Sequence, residues 1–350
     1  MSIFEGVLNW FPNCFQKDAA HRLAPFIPDG GGPVVAGEHY VRLWLDEMFL
    51  ANERDWFKSW HPAVHSAITF EFGEQTQVIT RIAGASALKD VDDRHLDRVI
   101  TLTTKLTDLL PFRGGTVRIN AALLAMQGTD SVKQLIDVLG EISTKLAVPQ
   151  LSMALDVAKP LAQGVSALVG VTDGEMMLGL DTTISEQDLR GGSFAVVFAT
   201  PQEIPPARLT ISARQLRFDG HELNGRNYMV VRVERVDARG DWDQLSKIRE
   251  PNQQAVDALT EGELPAAQKA LKKAIGAALK SDDLTETDRR RVIDALRKRY
   301  KAAEELLGSG AFSDAADQTV EKLLELAIPP AEAAALGPIK DAEAFDFSNI

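Results

Sequence analysis

The stretch NYMVVRVERVDARGDWDQLSKIREPNQQAVDAL, Asn227–Leu259, decides the fold. Up to Val236 it reads as a strand. After Trp242 the hydrophobic period changes from two residues to between three and four, and it does not change back. Asn252–Leu259, Pro265–Lys280, Glu286–Leu307 and Ser313–Ala327 then read as four helices. Pro265 suits a first helical position. Thr285 with Asp288 three residues on resembles a capping box in which Asp replaces Glu. Gly308-Ser309-Gly310 ends the third helix.

Upstream of the switch the chain reads as strands. Val41, Leu43 and Leu45 alternate with Arg42, Trp44 and Asp46. Residues 67–72 and 77–82 flank Gly73-Glu74 as a hairpin. Segments 98–106, 116–126, 176–184, 193–200, 208–218 and 227–236 extend the set, and 52–61 reads as a loop or short helix. Asp29-Gly30-Gly31-Gly32-Pro33 reads as a sharp break. Apolar residues at Val132, Leu135, Ile136, Leu139, Ile142 and Leu146 interrupt the strands with helical spacing. The expected architecture is α+β and multidomain. An antiparallel β-sandwich over 1–243 carries a helical hairpin insertion at about 130–171, a helical bundle follows at 244–330, and an acidic tail at 331–350.

Composition narrows the class. The chain has 350 residues, 38 Lys plus Arg and 50 Asp plus Glu, a net charge of −12. Apolar residues at 45% and charged residues at 25% exclude collagen-like and wholly disordered chains. A single cysteine, Cys14, excludes an internal disulfide. The N-terminal residues lack a basic region and a cleavage site, and no uncharged apolar run reaches 18 residues. A bacterial cytoplasmic protein without stable membrane insertion is expected. Net negative charge argues against non-specific nucleic-acid binding, because the phosphate backbone repels it.

No catalytic motif names a reaction, and no cofactor is expected. His61 and His65 have the i, i+4 spacing of a helical zinc pair, but Pro62 stands where a zinc peptidase carries its general base. A metal-dependent hydrolase using them is one alternative reading. Cys14 with His21 matches no nucleophile elbow. Acidic runs at Asp90–Asp93 and Asp237–Asp243 could offer carboxylates to calcium, but Arg94, Arg98 and Arg239 among them fit ion pairing better. Arg113-Gly114-Gly115 and Arg190-Gly191-Gly192 form an internal echo, read either as plain turns or as twin anion-binding turns. Small residues at Ala154, Ala158, Gly164 and Gly170 give the hairpin insertion a second reading as a membrane-active element.

The third helix carries Arg290, Arg297, Lys298 and Lys301 opposite an apolar face, a candidate surface for a protein partner. The polar joint at 237–251, with Lys247 and Arg249, is a candidate cleavage site for a protease that cuts after basic residues.

The segments RLWLDEMFL (42–50), LLPFRGGTVRINAALLAM (109–126), VPQLSMALDVAKPLAQGV (148–165) and YMVVRVERVDARGDWDQL (228–245) resemble, in layout, accessory proteins of bacterial defence cassettes. Those cassettes also encode caspase-like or trypsin-like proteases or NTPases. The resemblance implies a non-enzymatic regulatory partner or substrate of such an enzyme, and it assigns no functional residue.

Overall fold

The computed structural model describes residues 22–51, 54–55, 58–73, 75–83, 100–127 and 175–308. The fold is α+β, with mostly antiparallel sheets and three helices at the C-terminal end of the described residues. The expected hairpin at 130–171, the expected fourth helix at 313–327, the tail at 331–350, and Cys14, His21 and Asp90–Asp93 all lie outside the described residues.

Contacts divide the chain into two compact units. The first holds the described residues of 22–36 and 41–235. The second holds Gly37–Tyr40 and the described residues from Val236 to Gly308. The helical unit is therefore discontinuous in sequence.

Strands are numbered along the chain. One sheet runs β1 (Arg22–Leu23), β11 (Arg190–Phe198), β15 (Tyr228–Val236), β3 (Tyr40–Phe49), β7 (Ile100–Lys105), with β2 (Phe26–Pro33) paired to β11 and β8 (Leu110–Pro111) to β3. A second runs β10 (Glu175–Ser185), β9 (Thr116–Gln127), β5 (Lys58–Phe72), β4 (Arg54–Asp55), with β6 (Gln75–Ala83) paired to β5. The alternation read at residues 41–46 places Val41, Leu43 and Leu45 in one core with Val231 and Val233. The same core takes Val64, Ile68, Ile119 and Leu123 from the second sheet. Each such side chain contributes about 1.5–3 kcal/mol by leaving water.

A three-stranded sheet, β12 (Leu209–Ser212), β13 (Gln215–Phe218) and β14 (His221–Glu222), shares a separate cluster with the other face of β11 and β15. Leu209, Leu216 and Leu223 meet Ala195, Val197 and Val230 there. Buried Glu47 ties this layer down by accepting the Leu216 N–H at 2.8 Å. Burial raises its carboxyl above the usual range against that bond.

Several expectations are corrected. Residues 208–218 form two strands, because Ala213 and Arg214 turn the chain at φ 50° and 68°. The glycine run at 29–33 lies within the bounds of strand β2, but as an irregularity: Pro28 pairs with Gly192 and Pro33 with Arg190, while Gly30 and Gly32 between them turn the backbone at φ 83° and 74°. A Cβ on Gly192 would stand 2.5 Å from the Phe26 ring. Backbone can approach backbone there only without a side chain. Residues 58–61 extend β5 and form neither loop nor helix.

The second unit is built on α1 (Ser246–Thr260), α2 (Leu264–Leu279) and α3 (Glu286–Gly308). The first helix starts before Pro251, earlier than the expected Asn252. Pro251 is buried with Ile248, Ala255 and Leu259 at spacings of three and four. Its place on that stripe outweighs the lost N–H bond. Trp242, Leu245, Ile248, Leu271, Ile275, Val292 and Leu296 form the core of this unit.

Candidate functional site

The third helix uses most of its arginines internally. Arg289 donates to the Ser281 carbonyl at 2.8 Å. Arg291 is buried, pairs with Asp288 and donates to the Arg239 carbonyl at 2.7 Å. Arg299 stacks on Trp242 with 4.6 Å to the ring centroid and reaches Asp243 at 3.5 Å. Burial lowers its guanidinium against the pull of that carboxylate. Of the four residues expected to form a protein-binding face, Arg290, Lys298 and Lys301 are exposed and Arg297 is half-buried. Lys301 is paired with Glu305 at 3.8 Å, and Asp294 lies on the same arc. That surface is a mixed-charge stripe.

The concentrated basic surface lies on α2. Residues Leu264–Lys280 contain Lys269, Lys272, Lys273 and Lys280 and no acidic residue. At about 100° per residue the four lysines fall within an arc of about 100°, spread over about 16 Å of helix. All four are exposed. Ala267, Leu271, Ala274, Ile275 and Ala278 hold the opposite side of the helix in the core. Among the described residues, no carboxylate is paired with any of the four; the ion pairs of this unit involve other cations. Exposed Leu279 sits at the edge of the lysine arc, while exposed Leu264, at the start of the helix, lies on the side of Leu271. The arrangement is an exposed cationic strip along one side of α2.

The α2 strip was legible in LPAAQKALKKAIGAALK as four lysines without an acid. Counting basic residues alone points instead to α3, whose arginines are denser but internally engaged.

The outer face of β3 and β15 carries a second charged group, and it is closed by its own ion pairs. Arg42, Arg232 and Lys105 lie 4.7, 5.3 and 6.0 Å from the Trp44 ring centroid. Glu234 accepts from both Arg42 Nε and Trp44 Nε1 at 2.7 Å. Burial opposes its ionisation, yet these donors hold its carboxyl below the usual range. Asp46, fully buried, accepts two bonds from Arg232 at 2.6 and 3.1 Å.

His61 and His65 both lie in strand β5, so their Cα atoms are about 13 Å apart at roughly 3.3 Å per residue. The helical i, i+4 geometry behind the hydrolase reading is not present. Burial depresses His65 to about 4. No group of three or more potential metal ligands occurs among the described residues.

In the 237–243 run, Asp237 lies 3.5 Å from His39, and Asp241 takes Arg239 at 2.8 Å. The Arg239–Asp241 pair matches the ion-pairing reading. The Gly114-Gly115 turn holds the chain's own anion, since the Gly115 N–H donates to Glu186 at 3.0 Å. The second glycine pair has a carboxylate beside it too: a Cβ on Gly191 would stand 2.7 Å from Asp29.

Lys247 and Arg249 lie in α1, whose helical backbone differs from the extended form a protease binds. A single cut at 237–251 would also leave Tyr40, on the N-terminal side, as a covalently separate part of the helical unit. Among the described residues no helix is long and apolar enough to cross a membrane.

Comparison of the chain with protein-family models, curated proteins and solved structures found no match.

Proposed function

We propose that this chain is a non-catalytic binding and regulatory protein whose helical unit takes an acidic protein partner on α2. The observation that carries the reading is the strip of Lys269, Lys272, Lys273 and Lys280, exposed and without a carboxylate partner among the described residues, in a chain of net charge −12. Clustered cations without local counter-charges raise the on-rate and the selectivity for an oppositely charged surface. The layout resemblance supports a place beside a protease in a bacterial cytoplasmic defence system. Within this reading the two larger sheets are the layers of a β-sandwich, residues 130–171 an inserted helical hairpin, and the helical unit a separate domain.

The test is fluorescence anisotropy with a labelled twelve-residue polyglutamate probe at low salt. The Lys269→Glu/Lys272→Glu/Lys273→Glu variant is expected to bind at least tenfold more weakly, with unchanged helical circular dichroism. Equal affinity of the two proteins would overturn the reading.

A further inference from the structure

We propose that residues 309–350 of the same chain dock on the lysine strip of α2 and mask it, an inference that rests on the binding role given to that strip. Charge is the first ground. Residues 309–350 hold eight Asp and Glu and two Lys, so 2 − 8 = −6, half of the chain's net −12. The strip carries four positive charges and no negative one. Opposite charges within a Debye length of about 10 Å attract at ordinary ionic strength and part as salt rises.

Reach is the second ground. The last described helix, α3, has 23 residues and is about 35 Å long. It shares a core with α2 through Val292, Leu296, Leu271 and Ile275. The 42 residues after Gly308 can span several times that length at about 3.5 Å per residue. The acidic segment and the strip therefore meet at the high effective concentration of a tether, in the millimolar range. Weak surface ion pairs are enough for occupancy under those conditions, and a more highly charged partner can displace them.

Chemistry is the third ground. Phe345 and Phe347 flank Asp346 and follow Asp341 and Glu343, so the segment pairs apolar with acidic groups. The strip offers the complement: four ammonium groups with Leu279, 41% exposed, beside Lys280 at its edge.

The experiment couples lysines to carboxylates in the full chain with a zero-length carbodiimide reagent, using a mixture of ¹⁵N-labelled and unlabelled chains. Mass spectrometry is expected to find Lys269, Lys272, Lys273 or Lys280 joined to residues of 309–350 within single chains, at least fivefold fewer at 0.5 M salt. No such link, or links only between labelled and unlabelled chains, would overturn the proposal; the latter would assign the strip to a second copy. A variant with Asp341→Asn, Glu343→Gln and Asp346→Asn should bind the polyglutamate probe at least threefold more tightly than the parent. Equal probe binding by both, without cross-links, defeats the masking and leaves the acidic-partner reading intact. Cross-links with no probe binding by either protein defeat the acidic-partner reading and leave the docking intact.

Discussion

The Tyr40 hydroxyl donates to Asp288 Oδ2 at 2.7 Å and accepts the Thr285 N–H at 3.1 Å, completing the N-terminal cap of α3. In a full capping box the third residue reaches back to the N–H of the cap. Asp288 is one methylene shorter than the usual Glu, and Tyr40 supplies the missing acceptor. The forward half of the box is intact, with Asp288 N donating to Thr285 Oγ1 at 3.1 Å. Asp288 also accepts the Arg239 N–H at 2.8 Å and pairs with Arg291.

Tyr40→Phe should therefore destabilise the helical unit by about 1–3 kcal/mol, since it leaves the buried Thr285 N–H without its acceptor. Asp288→Ala should cost more, about 3–5 kcal/mol, because buried Arg291 then keeps its charge without a carboxylate. Urea unfolding followed by circular dichroism at 222 nm measures both. Equal losses in the two variants would mean that Arg291 finds another counter-charge.

The chain's three tyrosines, Tyr40, Tyr228 and Tyr300, all ionise above their usual range. Burial is the first cause at each, reinforced by Asp288, Glu47 and Glu304 respectively. The unfolded phenols lose their protons near pH 10, earlier than the folded ones. Stability is thus complete below about pH 10 and declines as pH rises above it. Absorbance at 295 nm should begin to rise only above about pH 10 while the chain stays folded. A phenolate step near pH 10 in the folded protein would contradict this assignment.

His65 gives the opposite dependence. Its folded value is about 4, against about 6.5 unfolded, because burial disfavours the imidazolium. Between those values the unfolded chain binds the extra proton, so stability rises with pH and is lost on acidification. The full effect is on the order of 3 kcal/mol. Urea midpoints measured from pH 7.5 to pH 4.5 should fall steeply for the parent chain and less for His65→Gln.

The Ala213-Arg214 turn holds two non-glycine residues at positive φ, where a two-residue hairpin favours Asn-Gly. Ala213→Asn with Arg214→Gly should stabilise the β-rich unit by about 1 kcal/mol by relieving that strain. A higher urea midpoint with unchanged slope is the expected result.

Long, strongly periodic segments were legible in the sequence. Strands β3, β9, β10 and β15 and helices α2 and α3 stand within a few residues of where alternation or helical spacing puts them, since those signals are local. The change of period after Trp242 likewise separates strands from helices. The lysines of α2 were equally visible; only their freedom from internal pairing was not, because Arg291 and Arg299 are withdrawn from the surface by Asp288 and Asp243, and no spacing rule foretells that. What tertiary structure alone decided is the set of contacts between distant residues. Gly192 lets Phe26–Pro28 of β2 lie close on β11, and Pro251 stays inside α1 because its ring fills a core position. Tyr40 caps a helix 248 residues away along the chain from its partner Asp288. Side-chain periodicity reports which face of an element seeks burial, while the partner that buries it is chosen by the packing of the whole unit.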